Sequence, residues 1–451
     1  MKIALTAEHA RPAPARDGEP SDAGSVHVRA LAHHLSGLGH QVTVYSRQAD
    51  PDLPARARLR RGGFVEHLAA GPQRPLHEGE AAEHTGEFAT ALAGRFAADP
   101  PDVVHAFDWT SGLAALSAVR ETTDRTGATP RVVQTFHSLN AAEQRAGMPP
   151  QPQRARMEVT LAGHADTVIV GSAEQRSDIA SMGVPRQRVT VIPPGVDTDH
   201  FAPEGPTSAG PWRTARGERT RVISHAGARS GGVEALIATM ARVPDAELLL
   251  VANPDVSDPE ARNTTRRAEL LAKEAGVDHR VTVSGPVGRD ELPRLLRSAD
   301  VCVSAASYDP CGSAVLEAMA CGLPVAALAT GGTSGAVLDG TTGILVPARR
   351  SAAMNPNGAV PDPTRALGHA LGRALRGIIG EPAMRSAYSI GAIDRARSRF
   401  TWERVAAETG RVYEHLHTRA TPEPVDPIAE EPEAEDEPDA GPPVTVGHGA
   451  H

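Results

Sequence analysis

The stretch YDPCGSAVLEAMACGLPV, residues 308–325, is the most informative part of the 451-residue sequence. The short apolar run Val301–Ala305 precedes it, and a second run, Pro324–Leu328, closes it. Between them, Gly312–Cys321 has the composition of a helix. Because neighbouring parallel strands need a helical crossover, this strand–helix–strand order predicts a βαβ unit in a parallel sheet.

The same alternation extends in both directions along the chain. The other predicted strands are Lys2–Glu8, Gln41–Arg47, Asp102–Phe107, Arg131–Phe136, Thr167–Gly171, Val189–Ile192, Arg221–His225, Glu247–Ala252 and Arg280–Ser284. Predicted helices include His27–Leu38, Val233–Arg242, Pro259–Ala275 and Arg289–Arg297. We therefore expect an α/β protein with two similar doubly wound, Rossmann-like domains, with a ligand cleft between them.

Changes in composition along the chain suggest the domain boundaries. We predict an N-terminal domain at 1–200, a Pro-, Gly- and Ser-rich linker at 201–220, and a C-terminal domain at 221–400. A C-terminal helix is expected at 401–417. The acidic, Pro-rich tail at 418–451 has almost no large apolar residues, so we expect it to be disordered.

Charge and cysteine content exclude several classes of function. Nine acidic residues and no Lys or Arg follow Ala420, whereas the rest of the chain carries 46 of each sign. A neutral body with an acidic tail argues against nucleic-acid binding. Three cysteines cannot form a disulfide framework or a zinc pattern, and we see no metal-ligand cluster. With no apolar leader and no long apolar span, we expect a cytoplasmic protein.

Two carboxylates in the 308–325 stretch are placed where they could bind a nucleotide sugar. Asp309 lies in the turn after a strand, and Glu317 lies in the following helix. Gly312, Ser313 and Ala314 would present the free N–H groups of a helix N-terminus, which bind phosphate. Glu317 could accept hydrogen bonds from a ribose diol. Spacing alone favours a plainer alternative, in which Glu317 is a helix-surface acid and Asp309 a turn residue.

The residues of this segment resemble the signature of the retaining family 4 glycosyltransferases. That signature usually reads Glu-Pro-Phe-Gly, then four residues, then Glu-Ala-Met-Ala-Cys-Gly-x-Pro-Val. Other segments resemble that family in the same order along roughly residues 1–417. They are Asp22–Val28, His105–Trp109, Thr135–Leu139, Pro194–Asp197, Gly331-Gly332 and Asp339–Gly343. The resemblance implies the GT-B fold, in which two Rossmann-like domains face a cleft.

The resemblance also implies a reaction. A hexose would pass from a nucleoside diphosphate sugar to a hydroxyl acceptor with retention, and the leaving diphosphate would deprotonate the acceptor. The first domain would bind the acceptor, a small molecule or glycan, and the second the donor nucleotide. No cofactor or metal is required. A peripheral membrane contact and the oligomeric state are left open.

Roles carry over to matching residues of this sequence. His137 and Asp309 would position the sugar, and Arg229 and the helix end at Ser313-Ala314 would stabilise the diphosphate. The donor-binding set is Gly24, Val287, Gly312, Ser313, Ala314 and Glu317. Asp108, at the end of a strand, is a candidate acceptor contact, although for Asp108 and the neighbouring Trp109 packing is an equal alternative.

One departure from the family motif affects the expected rate. The family has an Arg and a Lys on the donor phosphates, but this chain has Ala226 and Gly231 at those positions, with Arg229 nearby. Such cations commonly contribute a few kcal/mol each to phosphate-leaving chemistry. The alternative is therefore a catalytically impaired homologue that binds a sugar nucleotide or a partner. An NAD enzyme is set aside because no G-x-G-x-x-G follows the first strand.

Overall fold

The computed structural model describes residues 1–9, 22–59, 62–76, 78–215, 217–226, 232–252, 259–285, 287–348 and 363–418. The predicted tail beyond residue 418, and almost all of the polar segment 351–363, lie outside the described residues. Within the described ranges, no helix is both long enough and apolar enough to cross a membrane.

The N-terminal part is built around one eight-stranded sheet with the order β3-β4-β2-β1-β5-β6-β7-β8. Its strands are β1 (Lys2–Thr6), β2 (Gln41–Arg47), β3 (Arg56–Arg58), β4 (Phe64–Leu68), β5 (Val103–Phe107), β6 (Arg131–Thr135), β7 (Thr167–Val170) and β8 (Val189–Val191). The helices are α1 (Ala23–Gly37), α2 (Glu78–Glu83), α3 (Thr85–Ala98), α4 (Asp108–Thr126), α5 (Asn140–Arg145), α6 (Pro152–His164) and α7 (Ala173–Ser181). Among the described strand pairs of this sheet, β3 with β4 is the one antiparallel pair.

The C-terminal part has a six-stranded parallel sheet with the order β11-β10-β9-β12-β13-β14. Its strands are β9 (Thr220–Ala226), β10 (Ala246–Ala252), β11 (Val281–Ser284), β12 (Val301–Ser304), β13 (Val325–Ala329) and β14 (Gly343–Pro347). The helices are α8 (Val233–Met240), α9 (Pro259–Glu274), α10 (Leu292–Leu296), α11 (Ser313–Ala320), α12 (Gly331–Ala336), α13 (Pro363–Gly380), α14 (Pro382–Arg399) and α15 (Trp402–Thr418).

Both sheets wind outward from their first strand in two directions. The strand order reverses between β1 and β5 in the first sheet, and between β9 and β12 in the second. Apolar clusters lie on both faces of each sheet, three on the first sheet and two on the second, so helices cover both sides. Ligands of doubly wound sheets bind beyond the carboxyl ends of the strands at such reversals. The α/β fold with two parallel-sheet domains is thus as expected.

Three strands, β3, β4 and β14, were not predicted from the sequence. β3 has only three residues, two of them arginine, so no apolar run marks it. The helix predicted at Arg289–Arg297 is shorter, at Leu292–Leu296, with Pro293 in its first turn. Trp212, in the predicted linker, packs against the second domain, and its indole N–H donates to Ser298 Oγ at 3.0 Å.

The chain passes between the two domains twice, and the two passages lie side by side. The Val196 N–H donates to the Phe400 carbonyl at 2.7 Å. A Cβ atom on Gly195 would lie 2.6 Å from the Trp402 ring, so a side chain there would collide with it. After this crossing, α15 packs against the first sheet rather than the second.

A buried hydrogen bond fixes α15 to the first sheet. Nδ1 of His105 lies 2.6 Å from the Tyr413 hydroxyl, and Nε2 lies 2.8 Å from Thr135 Oγ1. Burial, with a smaller contribution from the charge of His137, lowers the pKa of His105 to about 3. The neutral imidazole therefore needs one donor and one acceptor, and these two hydroxyls provide both.

Replacing Tyr413 with Phe should lower the free energy of unfolding by about 1–3 kcal/mol, because a buried His105 nitrogen loses its partner. Urea denaturation at neutral pH measures this. Tyr388→Phe is the matched control, since it removes a hydroxyl from a half-buried tyrosine of α14. Equal stability of the two variants would contradict the assignment.

Candidate active site

Asp108 and His137 form a polar pair at the carboxyl ends of β5 and β6 in the first domain. Asp108 directly follows β5 as the first residue of α4, and its backbone φ is +63°. Its Oδ1 accepts the His137 N–H, and its Oδ2 lies 2.8 Å from His137 Nδ1. A non-glycine residue in the left-handed region is strained by about 1–3 kcal/mol, and such strain persists only where its contacts hold it. The two bonds to His137 are such contacts.

These contacts also set the protonation of both groups. Burial alone would lower the pKa of His137, but the charge of Asp108 and its hydrogen bond, with help from Asp22, raise it above the ordinary value. Burial would likewise raise the pKa of Asp108, yet the charge and bonds of His137 bring it below its usual range. The pair therefore favours imidazolium and carboxylate, with Nδ1–H directed to Asp108.

The start of α1, with its cap Asp22, brings two further groups to His137. A Cβ on Gly24 would lie 3.4 Å from the His137 ring, so Gly24 allows close approach. Asp22 caps α1 by accepting the Ser25 N–H at 2.8 Å. Nδ1 of His27 lies 3.2 Å from His137 Nε2, and burial lowers the pKa of His27 far below its usual value. A neutral His27 can therefore accept the Nε2–H of His137.

On the second domain, the Asp309 carboxylate is bound by its own turn. Oδ1 accepts the Gly312 N–H at 2.6 Å, and Oδ2 accepts the Thr333 hydroxyl at 2.8 Å. Burial raises the pKa of Asp309, and hydrogen bonds from Thr333 and from the backbone of Gly312 and Cys311 oppose that rise. The role of Asp309 in positioning the sugar therefore stays a prediction, but its contacts hold the 309–312 turn. Gly312, at φ +69°, passes so close to Gly332 that a Cβ would lie 2.9 Å from that backbone.

The N-terminus of α11 and Glu317 lie together, as the sequence predicts. The residue before α11, Gly312, provides no side-chain cap, and among the described hydrogen bonds none occupies the N–H groups of Ser313 and Ala314, which suit an anion. Glu317 lies one turn further along the same face. Its side chain is buried, and Oε1 accepts from Arg289 Nη1 at 3.0 Å. Burial raises the pKa of Glu317, and the charge of Arg289 opposes that rise.

Contacts between the domains place the N-terminal end of α11 opposite the Asp108–His137 pair. The Leu139 N–H, two residues after His137, donates to the Tyr308 hydroxyl at 3.3 Å, and Tyr308 directly precedes Asp309. Burial, followed by the charges of Asp309 and Asp108, raises the pKa of the Cys311 thiol to about 12. Carboxylates from both sides of the cleft therefore raise the pKa of the same thiol.

Of the remaining candidates, Val287 and Trp109 lie in the described part of the chain and Arg229 does not. Val287 packs at the margin of a core cluster, next to the loop that carries Arg289. Trp109 packs against the cluster around Phe136. Arg229 lies outside the described residues. Among the described residues, no group of three or more His, Cys, Asp or Glu side chains is placed to hold a metal ion.

Two residues near the site were not singled out from the sequence. Arg289 lies two positions after Val287, and a basic residue so close to a predicted nucleotide contact was the available signal. His27 lies within the segment that resembles the glycine loop, but its contact with His137 joins residues 110 positions apart. No local pattern predicts such a contact.

Asp108→Asn should lower the pKa of His137, because burial is then no longer opposed by a carboxylate charge. Asn tolerates the left-handed backbone, so the turn should survive. The measurement is a histidine Cε1–H NMR titration, with Asp124→Asn, on the exposed face of α4, as control.

The same pair gives a pH signature in stability. Because the folded-state pKa of His137 is raised, its stabilising effect is present below the unfolded value and is lost as pH rises through the folded value. The stability difference between wild type and Asp108→Asn should therefore be larger at pH 6 than at pH 9. An unchanged His137 titration in Asp108→Asn would rule out this coupling.

Comparisons with known proteins agree with this architecture. The family model described as Glycosyltransferase Family 4 matches residues 24–200, and that described as Glycosyl transferases group 1 matches residues 221–355. A D-inositol 3-phosphate glycosyltransferase of Mycobacterium sp. (strain JLS) is 32% identical over 361 residues, which are 77% of this chain and 79% of the relative.

Solved structures show the same similarity. Sucrose-phosphate synthase from Thermosynechococcus elongatus is 26% identical with a TM-score of 0.76, over 92% of this chain and 98% of that one. Anabaena HepE, solved with UDP and glucose, is 16% identical with a TM-score of 0.65 over 92% of this chain and 99% of its own, a likeness of fold. The two matched domains, the relatives and the two facing Rossmann-like sheets agree. The chain therefore belongs to glycosyltransferase family 4 and has the GT-B fold.

Proposed function

We propose that this glycosyltransferase transfers a hexose from a nucleoside diphosphate sugar to a hydroxyl acceptor with retention of the anomeric configuration. The observation that carries the proposal is the uncapped N-terminus of α11, with Glu317 one turn away, opposite the Asp108–His137 pair. An amide cluster with a helix dipole suits a diphosphate, and a nearby carboxylate suits a ribose diol.

The transfer follows from the charges that develop. The acceptor oxygen forms a bond to the anomeric carbon while the bond from that carbon to the diphosphate oxygen breaks. The electron pair of the broken bond stays on the diphosphate. The acceptor proton passes to the departing phosphate oxygen on the same face, so atoms and charges balance without a cofactor. The amides at Ser313 and Ala314 would stabilise the negative charge of the leaving diphosphate.

His137 is assigned to the donor sugar. Its Nδ1 is held by Asp108, so its ring orientation is fixed and its Nε2 is the nitrogen directed away from that carboxylate. A sugar hydroxyl that displaces His27 from Nε2 would receive a charge-assisted hydrogen bond, because the pKa of His137 is raised. Asp309 would add an acceptor for a sugar hydroxyl through its remaining lone pairs.

The acceptor is assigned to the first domain, at the carboxyl ends of β1 and β5. Related proteins are named for a phosphorylated inositol and for sucrose phosphate, so small polyols and sugars, with and without phosphate, are the first acceptors to test. Asp108 lies at this edge and was predicted to contact the acceptor. Its bonds to His137 use one lone pair of each oxygen, so a third hydrogen bond, to an acceptor hydroxyl, is chemically open.

His137→Ala should reduce turnover by at least about 100-fold while the Kd of the donor changes by only a few-fold, since the histidine acts on the sugar and not on the nucleotide. Transfer and donor hydrolysis are followed by chromatography with UDP-, ADP- and GDP-hexoses, and the anomeric configuration of the product by NMR. His164→Ala, an exposed histidine of α6, is the control. Turnover at the wild-type rate would remove His137 from the reaction, and an inverted product would contradict retention.

A second candidate is a homologue that binds a sugar nucleotide or a partner without efficient transfer. Its basis is the phosphate loop, where Ala226 and Gly231 stand at the positions of the family's Arg and Lys. Isothermal titration with the same donors, beside the transfer assay, separates the two candidates. Binding without turnover of any donor and acceptor pair would favour the second.

A further inference from the structure

The second-domain turn that carries Asp309 contacts the first domain through the residues on both sides of it. The Tyr308 ring packs against an apolar cluster of the first domain, and its hydroxyl accepts the Leu139 N–H at 3.3 Å. On the other side of Asp309, a Cβ on Gly171 would lie 3.5 Å from the Pro310 carbonyl oxygen, so the two backbones pass close to each other. The turn is therefore packed against both domains.

Glu174 adds a hydrogen bond across the same edge of the cleft. It lies in the first turn of α7, and its Oε2 accepts the N–H of Gly331, the first residue of α12, at 2.8 Å. Its Oε1 accepts from Arg145 Nη2 at 3.0 Å. Arg145 also donates to both carboxylate oxygens of Asp178, each at 2.8 Å, so the guanidinium that holds Glu174 is itself fixed to α7. The carboxylate of Glu174 is thus oriented towards Gly331 by its own domain.

The residues that begin at Gly331 lead directly to Asp309. Gly332 donates its N–H to the Asp309 carbonyl at 2.7 Å, and Thr333 donates its hydroxyl to Asp309 Oδ2 at 2.8 Å. A Cβ on Gly331 would lie 2.1 Å from the Asp309 carbonyl oxygen, so this close approach requires a glycine. Glu174 therefore holds the first of three consecutive residues that pack on or bond to Asp309.

This connection matters because the donor sugar needs groups from both domains at once. His137 belongs to the first domain and Asp309 to the second, and a misplacement of about 1 Å can reduce the rate of a reaction by about 100-fold. Glu174 is exposed on the first domain, so its bond to Gly331 competes with water and can break and re-form as the domains move.

We propose that Glu174 is a positioning residue, which acts through the Gly331 N–H to hold the Asp309 turn at the distance from His137 that transfer requires. This inference rests on the proposed function, because it concerns the placement of the two groups assigned to the donor sugar. The contact requires an oxygen acceptor at position 174, and the negative charge strengthens it.

Hydrogen exchange of the full chain tests the contact without any substrate. Glu174→Ala should speed exchange in peptides that span 328–334 by about 3- to 10-fold, the effect of one lost hydrogen bond. In the transfer assay, kcat should fall by about 10-fold or more, whereas the Kd of UDP, ADP or GDP should change by less than about 3-fold, because the nucleotide is assigned to the second domain. Glu174→Gln, whose side-chain oxygen also accepts an N–H, should recover most of both losses.

Glu121→Ala is the matched control. Glu121 also lies on a first-domain helix, pairs with Arg125, and has the same 48% side-chain exposure as Glu174. It should leave exchange at 328–334 and kcat at the wild-type values. Thermal unfolding of both alanine variants should stay within about 3 °C of the wild type, since each loses an exposed ion pair. A larger loss in Glu174→Ala alone would make its role one of folding and refute positioning.

The outcomes distinguish this inference from the proposed function. Exchange at the wild-type rate in Glu174→Ala would refute the contact, whatever the transfer assay shows. Faster exchange with an unchanged kcat would refute positioning and leave the transfer proposal standing. If exchange is faster but the wild type transfers no hexose from any donor, the proposed function fails and the positioning role fails with it. Faster exchange, a lower kcat and rescue by Glu174→Gln together support the inference.

Discussion

The geometry of the site depends on the contact where the chain crosses between its domains for the second time. Val196 and Phe400 are joined there by a backbone hydrogen bond, and the absence of a side chain on Gly195 lets Trp402 pack closely. Trp402 then lies 5.3 Å, between ring centroids, from His27, and His27 lies 5.2 Å from His137. A close backbone approach far along the chain is thus linked by packed rings to the residue assigned to the donor sugar.

On the other side of the cleft, the second domain positions its binding groups through a tight turn. A tight turn at 309–312 is held by the Asp309 carboxylate and by the backbone of the Gly331-Gly332 segment. That turn starts α11, leaves its first N–H groups uncapped and places Glu317 one turn along. Backbone donors pre-set in this way need no rearrangement as negative charge develops, which is what the proposed transfer requires of a group that stabilises a leaving diphosphate.

Polar groups at this cleft are paired differently in the two domains. On the first domain, Asp108 bonds to His137, and His105 bonds to Tyr413. On the second domain, Arg289 Nη1 donates to Glu317 Oε1, so the carboxylate proposed for the ribose is bonded to a cation.

The fold class could be predicted from the sequence because apolar runs and helical periods alternate, a pattern typical of parallel sheets whose two faces are covered by helices. The relation of Glu317 to the N-terminus of α11 was also predictable, since helix geometry fixes residues four apart on one face. Short edge strands such as β3 were not, because three residues carry no period.

Which side chains pair at the site is determined by the tertiary structure. His137 with Asp108 and Glu317 with Arg289 join residues 29 and 28 positions apart, and sheet order brings them together. Local sequence determines which residues end each strand at the cleft edge. Which side chains meet there, and which charges are neutralised, depends on how the two sheets face each other, because electrostatic and hydrogen-bond energies vary with distances that no single segment of chain determines.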